Sequence, residues 1–400
     1  MTATATAPRR ARNPRSGIRR GEAVAGWVFT LPVILILGIF LLVPVLMALW
    51  VSVSDWSGRG SPLSPNVSFV GLQNYAAITT GDGIATRDFG ISLRNNAWYV
   101  LLVVPLQTAL SLFLAVLVNG AILRGRGFFR TAYYFPSVTA SVAIIVLFQF
   151  LFTANGVVNA ILAAIGINGP NWFGDPTGLV HQALGAVGIT EGPPVLTDND
   201  FLGVSWWQWL AGPSVAMSVW IIMAVFTTSG TFMLLFLAAL QNLSYDVTEA
   251  AMVDGANAWQ RFWRVTLPQL RPVLFTVLTL GLIGCWQIFD QIYAGSSGGR
   301  PAKTTLTPAY LSYDAAFLDQ DWGNGAAIAF VLFAIIVLFT LFQRWVLRDR
   351  PVSRRRARQY QLPPRPPTAS PATVAANQVP VVPEPRAEVK DDDTTKEGQR

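Results

Sequence analysis

Long apolar stretches alternate with short polar ones along the chain. Six apolar runs stand out, near 27–53, 97–119, 132–153, 216–240, 272–293 and 326–347. Each offers the roughly 20 apolar residues that a helix needs to cross a bilayer. The pattern therefore predicts an all-α membrane protein with six transmembrane helices. Prolines fall inside the first three runs (Pro32 and Pro44, Pro105, Pro136). Bundled neighbours can satisfy the backbone groups that these prolines release.

One polar stretch is patterned rather than merely hydrophilic. Residues 249–272, between the fourth and fifth runs, read EAAMVDGANAWQRFWRVTLPQLRP. Asp246 with Glu249 three residues on is a helix-start signature. It predicts a short helix over about 247–254, with Val247, Ala250 and Ala251 on one face. Glu249 falls in the first turn, where the helix dipole favours negative charge. Gly255 then stops or turns the helix, because glycine tolerates positive φ. A second helix is expected from Asn257, with Gln260 as its capping partner, and Pro268 ends or bends it. Two readings stay open on the residues alone. The segment is an amphipathic loop covering the bundle, or it is a docking element for another protein.

The connection over 154–215 is the longest, and glycine, proline and aspartate punctuate it. Its piece LVHQALGAVGI is too short to span and fits a helix lying against the bilayer. Trp206, Trp207 and Trp209 suit a membrane interface.

Composition strengthens the membrane reading. The chain is 52% hydrophobic and 13% charged, against roughly a quarter charged in soluble domains. The net charge is +7, and its placement matters more than its size. Arg9, Arg10, Arg12, Arg15, Arg19 and Arg20 crowd the start. Arg124, Arg126 and Arg130 lie in the next-but-one loop, Arg261, Arg264 and Arg271 in the patterned stretch, and more arginines follow the last run. The other loops hold Arg59, Arg87 and Arg94, then Arg300 and Lys303, and 154–215 holds no Lys or Arg. By the positive-inside rule, both termini and the patterned stretch are cytoplasmic in a cell-membrane protein. Spans flank the basic clusters, which sets nucleic acid aside as a partner. The first run is too long for a secretory h-region and reads as a retained anchor. The expected division is a basic tail over 1–25, a six-span domain over 26–348 and a disordered tail over 349–400, where proline and charge replace apolar residues.

Little catalytic chemistry is on offer. One cysteine (Cys285) and one histidine (His181) provide neither a disulfide framework nor a multi-histidine metal site. No phosphate-cradling GxxxxGK[ST] loop occurs, so the chain is not expected to bind ATP by that route. No cofactor, metal or catalytic residue is expected. Ionisable groups inside spans mark transport paths, and Asp290 is the best candidate. Gln287 lies three residues earlier, on the same face of a continuous helix. Gln149 and Gln107 are further path candidates. Trp220, Phe226 and Trp286 are read chiefly as packing residues. The scarcity of charge in the spans suits a small neutral solute.

Several stretches resemble a known family. Glu249, Ala250, Ala251, Gly255, Val265, Leu267 and Pro268 match the cytoplasmic loop of binding-protein-dependent ABC importer permeases, with Val265 where isoleucine is usual. The segments GRGFFRTAYYFPSVTASVAIIVLFQFLF and FDQIYAGSSGGRPAKTTLTPAYLSYDAAF resemble the sugar-permease branch, the maltose and glycerol-phosphate importer type, as does Asp254 beside Gly255. Two departures lie on the outer side: Arg300 precedes Pro301 where Gly-Gly-Pro is usual, and the 154–215 loop is long. The resemblance implies that the first short helix is a coupling helix seated on a cytoplasmic dimer of ATP-binding subunits. ATP hydrolysis then belongs to that partner. It also implies a second permease subunit, an extracytoplasmic solute-binding protein and a sugar as solute. A permease for peptides or amino acids is the nearest alternative. An ion-coupled secondary transporter is a more distant one, since buried acidic clusters and internal repeats are absent from the sequence.

Overall fold

The computed structural model describes residues 20–120 and 125–347. The expected terminal disorder and Arg124 lie outside the described residues, apart from the last part of the 1–25 segment. Chain order is α1 (Arg20–Leu37), α2 (Val43–Ser52), α3 (Gln73–Thr79), α4 (Ile84–Asn119), α5 (Arg126–Val138) and α6 (Ser141–Leu151). An irregular region follows with α7 (Val157–Ala164), α8 (Leu179–Ala186), α9 (Pro194–Thr197), a hairpin of β1 (Asp200–Phe201) and β2 (Val204–Ser205), and α10 (Trp206–Trp209). Then come α11 (Val215–Gln241), α12 (Tyr245–Val253), α13 (Ala258–Arg261), α14 (Leu267–Gln269), α15 (Arg271–Trp286), α16 (Pro308–Tyr313) and α17 (Trp322–Val346).

This is the helical membrane fold that the apolar runs predict. Four stretches, Val24–Ser52, Ile84–Asn119, Val215–Gln241 and Trp322–Val346, are long and apolar enough to cross a membrane. Two bent pairs raise the number to six if each counts as one span. Arg126–Val138 with Ser141–Leu151 bends by 98°, and Ala258–Gln269 with Arg271–Trp286 by 69°. The stretch 132–153 is therefore a broken element rather than one straight helix. α4 starts at Ile84 instead of near 97, and its 36 residues extend about 54 Å at the helical rise. That exceeds the ~30 Å of hydrocarbon in a bilayer, so one end of α4 projects beyond it.

Proline leaves a local signature in two places. A π-helical turn over Gly38–Leu42 joins α1 to α2, and Val43 N–H bonds back to Gly38. A second π-helical turn over Phe262–Thr266 has Leu267 N–H bonded to Phe262. A proline stands two residues after the end of each turn, Pro44 and Pro268. Proline has no N–H and crowds the carbonyl one turn back. Widening the preceding turn accommodates both effects.

The core sits where α4, α11 and α15 meet, with Trp220, Phe236, Met217 and Val103 buried. Small residues let backbones approach, as is common between helices in lipid. A Cβ on Gly230 of α11 would collide with the backbone of Tyr133 and Tyr134 in α5. The region between α6 and α11 is tied to α4 rather than loose. Trp98 Nε1 donates to the Trp209 carbonyl at 2.8 Å, and Gly90 lies where a Cβ would strike the carbonyl of Leu202. Ser214 caps α11 by accepting from Met217 N–H at 3.0 Å. By contrast, the stretch from Val24 through Leu42 has no buried residue, and α2 reaches the bundle against α17.

Candidate functional site

Two features draw attention: a polar cleft at the helix breaks, and the patterned segment after α11.

The cleft begins where α15 stops. Gln287 leaves the helix with φ −98° and ψ 19°, and Asp290 precedes a π-helical turn over Gln291–Gly295. Gln287 and Asp290 therefore do not share a face of one helix, which corrects the sequence expectation. The break persists because side chains satisfy the carbonyls that it frees. Asn96 Nδ2 donates to Trp286 O at 3.0 Å, Thr307 Oγ1 to Ile288 O at 3.0 Å, and Gln149 Nε2 to Gly295 O at 2.9 Å. Asn96 and Thr307 are fully buried, so their bonds form out of water.

The break nonetheless brings Gln287 and Asp290 to a common space. A cavity of about 290 Å³ is bordered by Gln287, Asp290, Gln291, Thr227, Thr228, Tyr99 and Phe289. An adjoining one of about 330 Å³ shares Thr227, Thr228, Phe232, Asp290 and Gln291, and adds Ser137, Thr139, Ser141 and Thr231. Ser137, Thr139 and Ser141 lie at the 98° bend between α5 and α6. Thus both breaks open on one cleft. It is lined by hydroxyls and amides, with aromatic rings beside them and one carboxylate, Asp290. Such a lining binds by neutral hydrogen bonds and ring contact. Two hollows of about 620 Å³ each lie elsewhere, along α17, lined by residues such as Leu332, Ile336, Met47 and Phe317. They are larger, but they offer a polar solute few groups to orient it.

Gln149 does not border this cleft; its amide is engaged by Gly295. Trp220 and Trp286 are buried, and Trp220 Nε1 donates to Ser296 Oγ at 2.8 Å. Phe226 is half-exposed and stands 6.0 Å from Phe148, ring to ring. Sequence reasoning missed Thr227, Thr228, Thr231 and Gln291. The signal was available in part: Thr227 and Thr231 stand four apart on a span otherwise made largely of aliphatic and aromatic residues. The serines and threonine at the α5–α6 bend carried no comparable signal, since nothing in the sequence announces a bend there.

The second feature is α12 to α14. α12 starts two residues earlier than expected: Ser244 is its N-cap, without a side-chain bond, and Asp246 lies in the first turn. Asp246 is thus a dipole partner and not the cap. Gly255 follows α12 with φ +79°. Asn257 and Gln260 form the expected capping box, with Gln260 N–H to Asn257 Oδ1 at 2.8 Å and Asn257 N–H to Gln260 Oε1 at 3.1 Å. Trp259 and Trp263 meet edge to face at 5.4 Å. Glu249, Ala250, Asp254 and Gly255 are exposed, while Ala251, Leu267 and Pro268 are half-buried. Val247 and Val253 are exposed as well, Val253 by 84%. A capping box orders the start of α13, and Val247 and Val253 of α12 stay uncovered among the described residues.

Comparison with known proteins places the chain in a family. Residues 107–350 match the profile described as binding-protein-dependent transport system inner membrane component. The lactose transport system permease protein of Rhizobium radiobacter is 32% identical over 339 residues, 84% of this chain and 98% of that protein. The trehalose/maltose transport system permease protein of Thermococcus litoralis is 28% identical over 339 residues, again 84% and 98%. In fold, the chain is similar to a bacterial ABC transporter involved in import of the acidic polysaccharide alginate. That match has a TM-score of 0.61 at 19% identity and covers 83% of this chain and 96% of the other.

Proposed function

Because the chain belongs to the family of binding-protein-dependent transport system inner membrane components, we propose that it forms half of the translocation pore of an ATP-driven importer for a neutral sugar or oligosaccharide. The observation that carries this reading is the cleft at the paired helix breaks, whose hydroxyl and amide lining matches a polyol. The names of relatives that carry lactose and trehalose or maltose support the same solute class. A peptide or amino-acid solute would call for charges to meet its ammonium and carboxylate groups. The cleft has only Asp290.

In this reading a second permease subunit completes the pore. An extracytoplasmic solute-binding protein delivers the sugar, and the relation to a transporter solved with a periplasmic protein bound supports such a partner. A cytoplasmic pair of ATP-binding subunits receives α12. Ala250 and Ala251 allow close approach, Glu249 offers a charge to a basic partner group, and Asp254, Gly255, Leu267 and Pro268 fix the angle at which α12 joins the span. Closure of the ATPase pair pulls on this segment and tilts α15, which ends at the cleft. Both termini and α12 are cytoplasmic in this arrangement.

The test is reconstitution. The complex purified through this chain is placed in proteoliposomes with its copurifying subunits and binding protein. Labelled lactose, maltose and trehalose are offered with and without ATP. ATP-dependent uptake of a saccharide is expected. Uptake by the chain alone under an ion gradient, or of amino acids and peptides only, overturns the reading.

A further inference from the structure

Gln107, in the second half of α4, is fully buried, yet part of its amide has no partner among the described residues: Nε2 bonds none of them, while Oε1 lies 2.6 Å from Thr228 Oγ1. That hydroxyl has a second acceptor in reach, the Ala224 carbonyl, also at 2.6 Å. One hydroxyl proton does not serve both. Turning the amide over removes the conflict: Thr228 donates to Ala224 and accepts from Nε2. Oε1 is then the end without a partner. In either orientation one end of a buried amide stays unpaired, a condition that folded proteins avoid unless the group has a use. An apolar side chain of the same length would fill the space without that penalty. The unpaired end faces Gly281, where a Cβ would strike it. Gln107, Gly281, Thr228, Gln287 and Asp290 all border the cavity of about 290 Å³.

We propose that Gln107 is a specificity-determining residue, whose unpaired amide end hydrogen-bonds one hydroxyl of the neutral solute as it passes the cleft. This inference rests on the sugar-import reading above. An amide suits the task because it either donates or accepts, as a hydroxyl does, and holds no charge that would trap the solute. Gly281, having no side chain, leaves room for the amide end at the wall of the cavity, and Thr228 fixes the amide in place.

The experiment uses the reconstituted complex with its own binding protein. Uptake is measured for whichever of labelled lactose, maltose and trehalose the wild type carries, and for monodeoxy analogues of that sugar. The readout is the ratio of parent to deoxy uptake. The binding protein is common to all samples, so only a contribution from the permease changes the ratio between variants. In Gln107→Met the ratio for one hydroxyl position is expected to fall by roughly five- to tenfold, the effect of one neutral hydrogen bond, with ATP hydrolysis in response to loaded binding protein retained. Gly281→Ala pushes the amide aside without removing it, and a fall at the same position is expected. It also serves as the probe should Gln107→Met not assemble. Ratios that stay at the wild-type value in the assembled variants mean that the amide only ties α4 to α11, and they overturn the proposal. A wild-type complex that carries no saccharide fails at the earlier step and removes the sugar-import reading together with this inference.

Discussion

Gly255 is a residue whose backbone, not its surroundings, dictates its identity. Its φ is +79°, and a Cβ would meet nothing within 4 Å. A side chain there is therefore opposed by conformation alone, at about 1–2 kcal/mol. Gly255→Val is expected to insert and assemble normally but to lower uptake per ATP hydrolysed, because the turn sets how α12 meets the next helix. A wild-type ratio of uptake to hydrolysis would contradict this. Asp290 is the lone carboxylate of the cleft. Hydrogen bonds to a charged group contribute about 1.5–3 kcal/mol. Asp290→Leu is accordingly expected to lower saccharide uptake ten- to hundredfold and Asp290→Asn by less, measured as initial rates. Wild-type rates in both variants would show that the carboxylate does not accept from the solute. Gly255 was legible from sequence because a glycine closing an amphipathic helix has one plain physical use. Asp290 was legible as a charge in a greasy run, but its partnership with Gln287 was argued from a helix that the structure ends at Trp286.

Elements were legible to the degree that local chemistry determines them. The capping box at Asn257 and Gln260 is contained in four residues, and it formed as expected. The helix start at Asp246 moved to Ser244, since more than one polar residue could begin α12. The bend between α5 and α6 was hidden because Pro136 is compatible with a helix interior in a bundle, and only the packing of α5 on α11 shows where the turn occurs. That packing depends on Gly230, which lies against the backbone of Tyr133 and Tyr134. Gly230→Leu is expected to separate α5 from α11 and displace the α5 end of the cleft. The measurement is thermal stability of the detergent-solubilised complex. An unchanged midpoint together with unchanged uptake would show that the contact is dispensable.

At the scale of the molecule, the number of apolar runs and the alternation of basic loops described the architecture, while the cleft depended on non-local closure that no single segment records. Asn96, Gln149 and Thr307 come from three different parts of the chain to cap one break. The whole-molecule prediction concerns assembly. Cys285 is the one cysteine of the chain and is buried, so a thiol introduced by Ala250→Cys is the accessible one. Crosslinks from that position are expected to reach an ATP-hydrolysing subunit in the native complex. Their absence under conditions where the complex turns over would remove α12 from the coupling role. The two bends have one more consequence. The cleft is opened by main chain leaving its helical path, and its chemical character is added by threonines, serines, glutamines and one aspartate on the rim. Under the proposed function, evolution can exchange the cargo by editing a few side chains without redrawing the backbone that frames the aperture.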